Sequence, residues 1–596
     1  MQSKTSFSNF TLFRRCLSRY WPLWAVIFGL MTFLGPMSLG NTLEYLESQH
    51  LSAAMMLEAS ASNVYDFLRL MPAYTVVAGL LAAVASFDFL FSNRLTGLMA
   101  SIPVKRGRVF TQHYLAGAVM LLSSLLVTAL AILAVQAVHH AVTFPAVAEV
   151  FAVSALECLI FYSIGVFCCT LTGHFLVAIA LYALVILAGA MVWALLSWFV
   201  GTYVFGLTNL PGGDWLFWFS PFFELMNSRG ITVDGFNGWT PVWIYTAVAA
   251  VLTVCACALY DRRDMERAQD TVAFVKLRPV LKYIVTFFAA LGLPLVAAAA
   301  AELSNTQFSL PVHLLMTVAG VIIGYFISEM IIQKSLHVFK KRPWIGIAAA
   351  AVVCCLVVCG LRLDWLGISH RIPAPEKVQA VSMQAGENFY ADSEESIREA
   401  ERLHQLLLDA YDSGELREPE VYSDEVSYLE LNYILKNGET EQRHYEFLYD
   451  DTPGSFVQSI ESALNSEPLR SENILINPPI PVTAEHIAGA DISYAAEDGE
   501  WADRQITAAD AVDLYENGIR PDCMSDAFGH VGLNYAFDPD DELYNVSIQI
   551  TLYEKSDDPT WGSWYLCYNI TEDTVNTNAW LEAHGSQPTQ SFTPGA

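Results

Sequence analysis

Phe91 to Gln112 reads FSNRLTGLMASIPVKRGRVFTQ, a short basic segment with a turn in it, between two long apolar runs. Arg94, Lys105, Arg106 and Arg108 set its sign, and positive charge in short loops marks the cytoplasmic side of a membrane. Its TGLMAS portion, Thr96 to Ser101, has room for about one and a half helical turns along the interface before Pro103 stops it. The stretch reads as a cytoplasmic loop offering a small helix to a soluble partner through Arg94, Thr96, Gly97, Leu98, Pro103, Lys105, Arg106 and Arg108. The plainer alternative is that its cations only satisfy the positive-inside rule.

Apolar runs of about 20 residues, enough to cross a bilayer, lie on both sides of this loop. They fall near Trp21 to Gly40, Pro72 to Phe91, Gln112 to Val138, Val147 to Leu171, Phe175 to Val200, Pro241 to Tyr260, Val280 to Ala301, Leu310 to Ile332 and Trp344 to Leu361. Nine spans starting from a cytoplasmic N-terminus end outside. With that count, 18 Lys and Arg of the membrane half fall in inside segments and three, Arg69, Arg229 and Arg362, fall outside. A missed or extra span would spoil this bias. Before the first span, Phe7, Phe10, Leu12, Phe13 and Leu17 alternate with Lys4, Arg14, Arg15 and Arg19, which suits an amphipathic helix lying in the cytoplasmic interface. That first apolar run is long and has no small-x-small cleavage site, so it is expected to stay as an anchor.

Composition agrees. Of the 596 residues, 54% are hydrophobic, and the mean hydropathy of +0.37 belongs to a membrane protein. The net charge of −29 is an average over two different objects. Residues 1–363 carry 21 Lys and Arg against 16 Asp and Glu, whereas 364–596 carry 11 against 45. The acidic half would repel phosphate, which excludes unaided nucleic-acid binding. It is predicted to be extracytoplasmic, its charge keeping it soluble or attracting cationic ligands.

The acidic half is entered through RIPAPEK and reads as one α+β domain. Ser393 to Tyr411 has apolar residues at helical spacing, and alternating residues flank Asn437-Gly438 as in a hairpin. Helices are expected over Ser455 to Leu464, over Ala508 to Asn517 opened by Thr507, and over Asp573 to Ala583. Strands are expected near Gly532 to Phe537, Tyr544 to Tyr553 and Ser563 to Ile570. The organisation is therefore an interfacial helix over 1–20, six spans over 21–260, three more over 261–363, the acidic domain over 364–584 and a disordered tail over 585–596.

Candidate chemistry is sparse. No G-x-x-x-x-G-K-[ST], G-x-S-x-G or H-E-x-x-H occurs, so the chain is not expected to be an enzyme and carries no phosphate cradle of its own. Three carboxylates fall inside spans: Asp88, Glu157 and Glu329. An intramembrane carboxylate is costly, so it is paired, lines a cavity or serves a path. Asp88 and Glu329 lie near basic loop residues and read as ion pairs; Glu157 has no basic neighbour in sequence and is the better pathway residue. The aromatics from Trp215 to Phe223 read either as a belt at the outer interface or as a re-entrant helix. Asp538 to Glu542 invites a calcium reading but lacks the EF-hand glycine and spacing. Cys523 and Cys567, the two cysteines of the acidic half, read as free thiols, with pairing as the alternative.

Taken together these residues resemble the permease subunit of an ABC-2 type exporter, in a group from Gram-positive bacteria with a C-terminal domain of unknown function. SFDFLFSNRLTGLMASIPVKRGRVFTQHYLAG is similar to that family's block of second span, coupling helix and third span. Its usual Leu-Pro-x-x-Arg ending stands here as Ile102-Pro103-Val104-Lys105-Arg106, with Ile for Leu. YDRRDMERAQDTVAFVKLRPVLKY, from Tyr260, and GYFISEMIIQKSLHVFKKRPW, from Gly324, resemble the stretches after the narrower group's sixth and eighth spans. The resemblance implies a chain in the bacterial plasma membrane that works with a separate cytoplasmic ATPase subunit docked on the loop from Arg94 to Arg108. That partner would bind the ATP and Mg²⁺, this chain holding no cofactor. A second permease chain, identical or related, would complete the pathway. The competing reading is a membrane-anchored sensor whose acidic domain binds an extracellular, possibly cationic, ligand.

Overall fold

The basic loop forms a helix of nine residues between helices of 34 and 33. The computed structural model describes residues 11–48, 53–227, 231–232, 235–264, 270, 273–302, 310–333, 343–365, 367–385, 387–416, 426–448, 454–474, 476–478, 480–495, 501–524, 546–552, 564–570 and 574–584. In chain order the first part holds α1 (Thr11–Thr32), α2 (Ser38–Ser48), α3 (Ala53–Ser86), α4 (Asn93–Ser101), α5 (Arg106–Val138), α6 (Phe144–Leu171), α7 (Phe175–Tyr203) and α8 (Pro221–Asn227). A two-residue hairpin, β1 (Ile231–Thr232) with β2 (Gly235–Phe236), precedes α9 (Trp239–Arg262), α10 (Arg278–Glu302), α11 (Leu310–Gln333) and α12 (Pro343–Arg362). Nine helices among the described residues are long and apolar enough to span a membrane: α1 continued by α2, then α3, α5, α6, α7, α9, α10, α11 and α12.

The first two spans run further than their apolar stretches. Thr11 to Arg19 are the first turns of the α1 helix itself, and the rest of the expected interfacial helix lies outside the described residues. A π turn at Phe33–Met37 links α1 to α2; Pro36 lies within it, and a residue without an N–H is where a helix widens most readily. The start of α3 at Ala53, well before Pro72, is hidden in sequence by Glu58, Asn63, Asp66 and Arg69. Its buried stripe, Val64, Leu68, Met71, Thr75, Ala78 and Ala82, nonetheless repeats every three or four residues without a break.

The chain divides into two compact units. The first comprises Met1–Leu195, Gly213–Pro294 and Leu315–Cys354. Its core is α6, packed against α3 on one side and α9 on the other, with α1 on α5. Small residues let the backbones approach: a Cβ on Gly79 of α3 would come within 2.8 Å of the Tyr162 backbone nitrogen of α6. The aromatic stretch belongs here too. It folds into a 3-10 turn, Asp214–Phe219, and α8, and returns against α7 and α9: Ser220 Oγ donates to the Ile186 carbonyl at 2.7 Å and Tyr245 Oη to that of Trp218 at 2.9 Å. Trp215, Trp218 and Phe219 stay exposed. The stretch is thus a folded-back segment with an exposed aromatic rim.

The second unit comprises Leu196–Gly212, Leu295–Leu314 and Cys355–Ala596. Its acidic part holds two cores and the same topology twice. The first module is β3 (Val378–Ala385), β4 (Glu387–Ala391), α13 (Glu394–Ser413), β5 (Val426–Leu435), β6 (Thr440–Leu448), α14 (Gly454–Leu464) and α15 (Glu467–Arg470). The second is β7 (Ile487–Ala495), β8 (Trp501–Gln505), α16 (Ala508–Leu514), α17 (Arg520–Met524), β9 (Val546–Leu552), β10 (Trp564–Ile570) and α18 (Val575–Ala583). Both sheets are antiparallel, ordered β4-β3-β5-β6 and β8-β7-β9-β10. Each first strand carries a register shift at its start, between Val378 and Ala380 and between Ile487 and Gly489. Each first helix is capped alike: the side chains of Ser393 and Thr507 accept from the backbone N–H three residues on. The acidic region thus holds two sheet modules, each with its own core, within one compact unit. Its expected strand near 532–537, the acidic run 538–542 and the tail from 585 lie outside the described residues.

Candidate functional site

α4 is amphipathic in three dimensions as well as in sequence. Leu95, Met99 and Ile102 pack against the membrane core, and Thr96 is buried, its Oγ1 donating to the Phe89 carbonyl at 2.6 Å. Arg94, Gly97, Leu98, Pro103, Lys105, Arg106 and Arg108 are exposed. Of the eight residues expected to face a partner, Thr96 is instead an anchor, and the other seven form the open side. A Cβ on Gly97 would meet nothing within 4 Å. Glycine inside a helix costs roughly 0.5–1 kcal/mol against alanine, and no contact among the described residues asks for it.

Two arginines fix the floor beneath this loop. Arg263 is buried, donating to the carbonyls of Cys169 at 3.1 Å, Thr170 at 3.0 Å and Leu90 at 3.2 Å. It thus satisfies the orphan C-terminal carbonyls of α6, where a cation also meets the negative end of the helix dipole. Burial draws its pKa down to about 10, so it stays charged at neutral pH. Arg106 does the same for α9, its Nη1 donating to the carbonyls of Asp261 and Arg263 at 3.1 Å each. Arg106 was singled out as a docking cation and Arg263 only as an inside charge; both are helix caps.

The three carboxylates lie in separate surroundings. Asp88 pairs with Arg19 of α1 at 2.8 Å. Glu329 pairs with Lys282 of α10 at 3.0 Å, and Lys282 also donates to Tyr325 Oη at 2.9 Å. Glu157 is fully buried in α6, one turn from Ser154, which lines a cavity of about 20 Å³ with Phe67, Thr128 and Val150. Such a space suits one water. Among the described residues no three His, Cys, Asp or Glu side chains converge as a metal site.

Sequence reasoning missed a polar seam through the bundle. His113 Nδ1 donates to the Ser86 carbonyl at 2.8 Å, Tyr162 Oη to that of Tyr114 at 3.0 Å, and Tyr114 Oη lies 2.8 Å from Ser163 Oγ. The seam closes because residue 117 is glycine: a Cβ there would lie 2.2 Å from Tyr162 Oη. Its members are single polar residues in apolar runs, and only a helix-facing pattern across α3, α5 and α6 could have grouped them.

In the second unit, Phe205 and Gly206, just past the end of α7, sit in the first acidic module. The Phe205 ring stacks on Tyr411 with centroids 3.8 Å apart and planes at 7°, and the Gly206 carbonyl accepts from the His444 N–H at 3.1 Å. Gly206 has φ +70°, and a Cβ would come within 2.1 Å of Tyr445. The link between α12 and the module is clasped there too, since buried Arg443 donates to the carbonyls of Ile368, Ser369 and Arg371. Cys523 is buried in α17 and Cys567 is exposed on β10.

No family model, curated protein or solved structure matches this chain. What its residues and their arrangement show is a multi-pass membrane protein with nine candidate spans among the described residues, followed by an α+β region with two antiparallel sheets.

Proposed function

We propose that the chain is the permease subunit of an ATP-driven ABC-2 type exporter, coupled through α4 and the turn after it to a separate cytoplasmic ATPase that binds the ATP and Mg²⁺. The observation that supports it most is the division of labour in that loop. Thr96, Leu95, Met99 and the two capping arginines hold it firmly, while its outer face offers Leu98, a bare Gly97 and the cations Arg94, Lys105 and Arg108. A rigid helix with an apolar tip and a basic rim suits a groove on a soluble partner. A second permease chain completes the pathway in this reading.

The test is purification of the chain from its native membrane with any ATPase that accompanies it. Arg94→Ala, Lys105→Ala and Arg108→Ala together, with Arg106 left in place as a helix cap, are expected to weaken retention of the ATPase about tenfold or more, at unchanged insertion. Unchanged retention, or a chain that purifies alone, counts against the reading.

One observation favours the sensor alternative. The acidic module grips the α7 end through Phe205 and Gly206, which gives a ligand on that module a mechanical path to a span. Signalling without movement of substrate would distinguish it from export.

A further inference from the structure

We infer that an apolar groove between α7 and α10 is a binding site for one acyl chain of an anionic phospholipid, whose headgroup rests on Lys276 and Arg278. The inference is independent of the exporter reading. The groove holds about 600 Å³ and is lined by Leu184, Ala188 and Val192 of α7 and Val280, Ile284 and Phe287 of α10, among others. Ten of its eleven lining side chains are hydrocarbon and the other is Tyr283. Water gains nothing there.

Length identifies the occupant. From Leu181 to Val192 the α7 wall covers twelve residues, about 16 Å of helix from first to last. That is half of a hydrocarbon core about 30 Å thick, the depth of a single leaflet. The two walls also start at one end. The Gly173 N–H donates to the Asp270 carbonyl at 3.0 Å and that of Ala273 to the Leu171 carbonyl at 2.9 Å, so the segments entering α7 and α10 lie side by side. The groove therefore starts near this collar and runs from it towards the mid-plane.

Charge at the collar selects the headgroup. Lys276 is exposed in the turn before α10. Arg278 opens α10 one turn before Leu281, a groove residue. It pairs with Asp270 at 3.5 Å, and its Nε has no hydrogen-bond partner among the described residues. Lys282 is engaged by Glu329 and Tyr325. Two cations beside two helix N-termini favour a phosphate.

The test uses the full-length protein in vesicles containing diazirine-tailed phosphatidylglycerol or phosphatidylcholine, with cross-links mapped by mass spectrometry. Labelling is expected at 184–192 and 280–288, several-fold higher with phosphatidylglycerol. Lys276→Gln with Arg278→Gln, both at the collar, should reduce it to the phosphatidylcholine level. Ala188→Trp, which fills the groove, should remove it from both helices while leaving labelling at Val251 and Val254, exposed on α9. Equal labelling by the two lipids, or labelling no stronger than on α9, would overturn the inference, as would chain-to-chain cross-links through the groove residues, which would give it to a second copy.

Discussion

Glu329 is held within its span by Lys282 and Gln333, and Lys282 in turn donates to Tyr325 Oη. Both side chains of the pair are about one-sixth exposed, so removing one leaves the other poorly solvated. Glu329→Leu is expected to lower stability by about 3 kcal/mol, whereas Glu329→Leu with Lys282→Met restores most of it; thermal unfolding in detergent measures both. Asp88 and Arg19 are more exposed, and Asp88→Asn should cost about 1 kcal/mol or less. His404 in the first acidic module is the opposite case, a buried group kept neutral. It lies between Tyr433 Oη at 2.8 Å and Tyr445 Oη at 2.5 Å, and burial, with Arg443 nearby, pushes its pKa down to about 3. The unfolded chain, with His near 6.5, takes up a proton that the folded one refuses. Stability contributed this way is present above about 6.5 and is lost as pH falls towards 3, by several kcal/mol at most. Hydrogen exchange of 378–447 in the full chain, corrected for intrinsic rates, should therefore quicken below pH 6; in His404→Gln that dependence should flatten.

At the scale of elements, α4 was legible because its signals are local: four cations, a helix-forming run and Pro103. The observed helix starts earlier than the TGLMAS run, at Asn93, since Ser92 and Asn93 suit a helix start as well as a loop. Its floor was not legible. Arg263 and Arg106 cap carbonyls, and a carbonyl acceptor has no identity in sequence. The hairpin of β5 and β6 showed through Asn437-Gly438 and clean alternation, whereas β4 and β8 are five residues each, too short and too polar to stand out. The doubling of the module was hidden for the same reason: shared topology needs no shared residues. Phe205 was passed over as one aromatic among many. It is almost fully buried, and a core Phe→Ala substitution costs about 3–5 kcal/mol. Phe205→Ala is thus expected to raise hydrogen exchange in 196–212 and in 440–447 together, leaving the second module unchanged. Faster exchange in only one of the two segments would mean that the loop and the module are not held as one piece.

For the whole molecule, the latch made where the Phe205–Gly206 loop docks in the first acidic module constrains topology. Phe205 follows the fifth candidate span and the acidic modules follow the ninth, yet Phe205 lies in the first module's core. The two places must share one side of the membrane, so an even number of crossings separates them. α9, α10, α11 and α12 supply four. The positive-inside count independently predicts that this side is outside the cell. One natural residue tests this: Cys567 is exposed on β10, and partial burial raises its thiol pKa, so a membrane-impermeant maleimide should be applied near pH 8.5 to form enough thiolate. Intact cells are expected to label the wild-type chain and not Cys567→Ser. Added to Cys567→Ser, Thr208→Cys in the exposed part of the latch loop should label from the same side, and Ser101→Cys at the end of α4 only after lysis. If Thr208→Cys and Cys567 label from opposite sides, a span is miscounted between α7 and α12. If both label only after lysis, the parity stands while the acidic half lies in the cytoplasm, and α4 then faces away from any cytoplasmic ATPase.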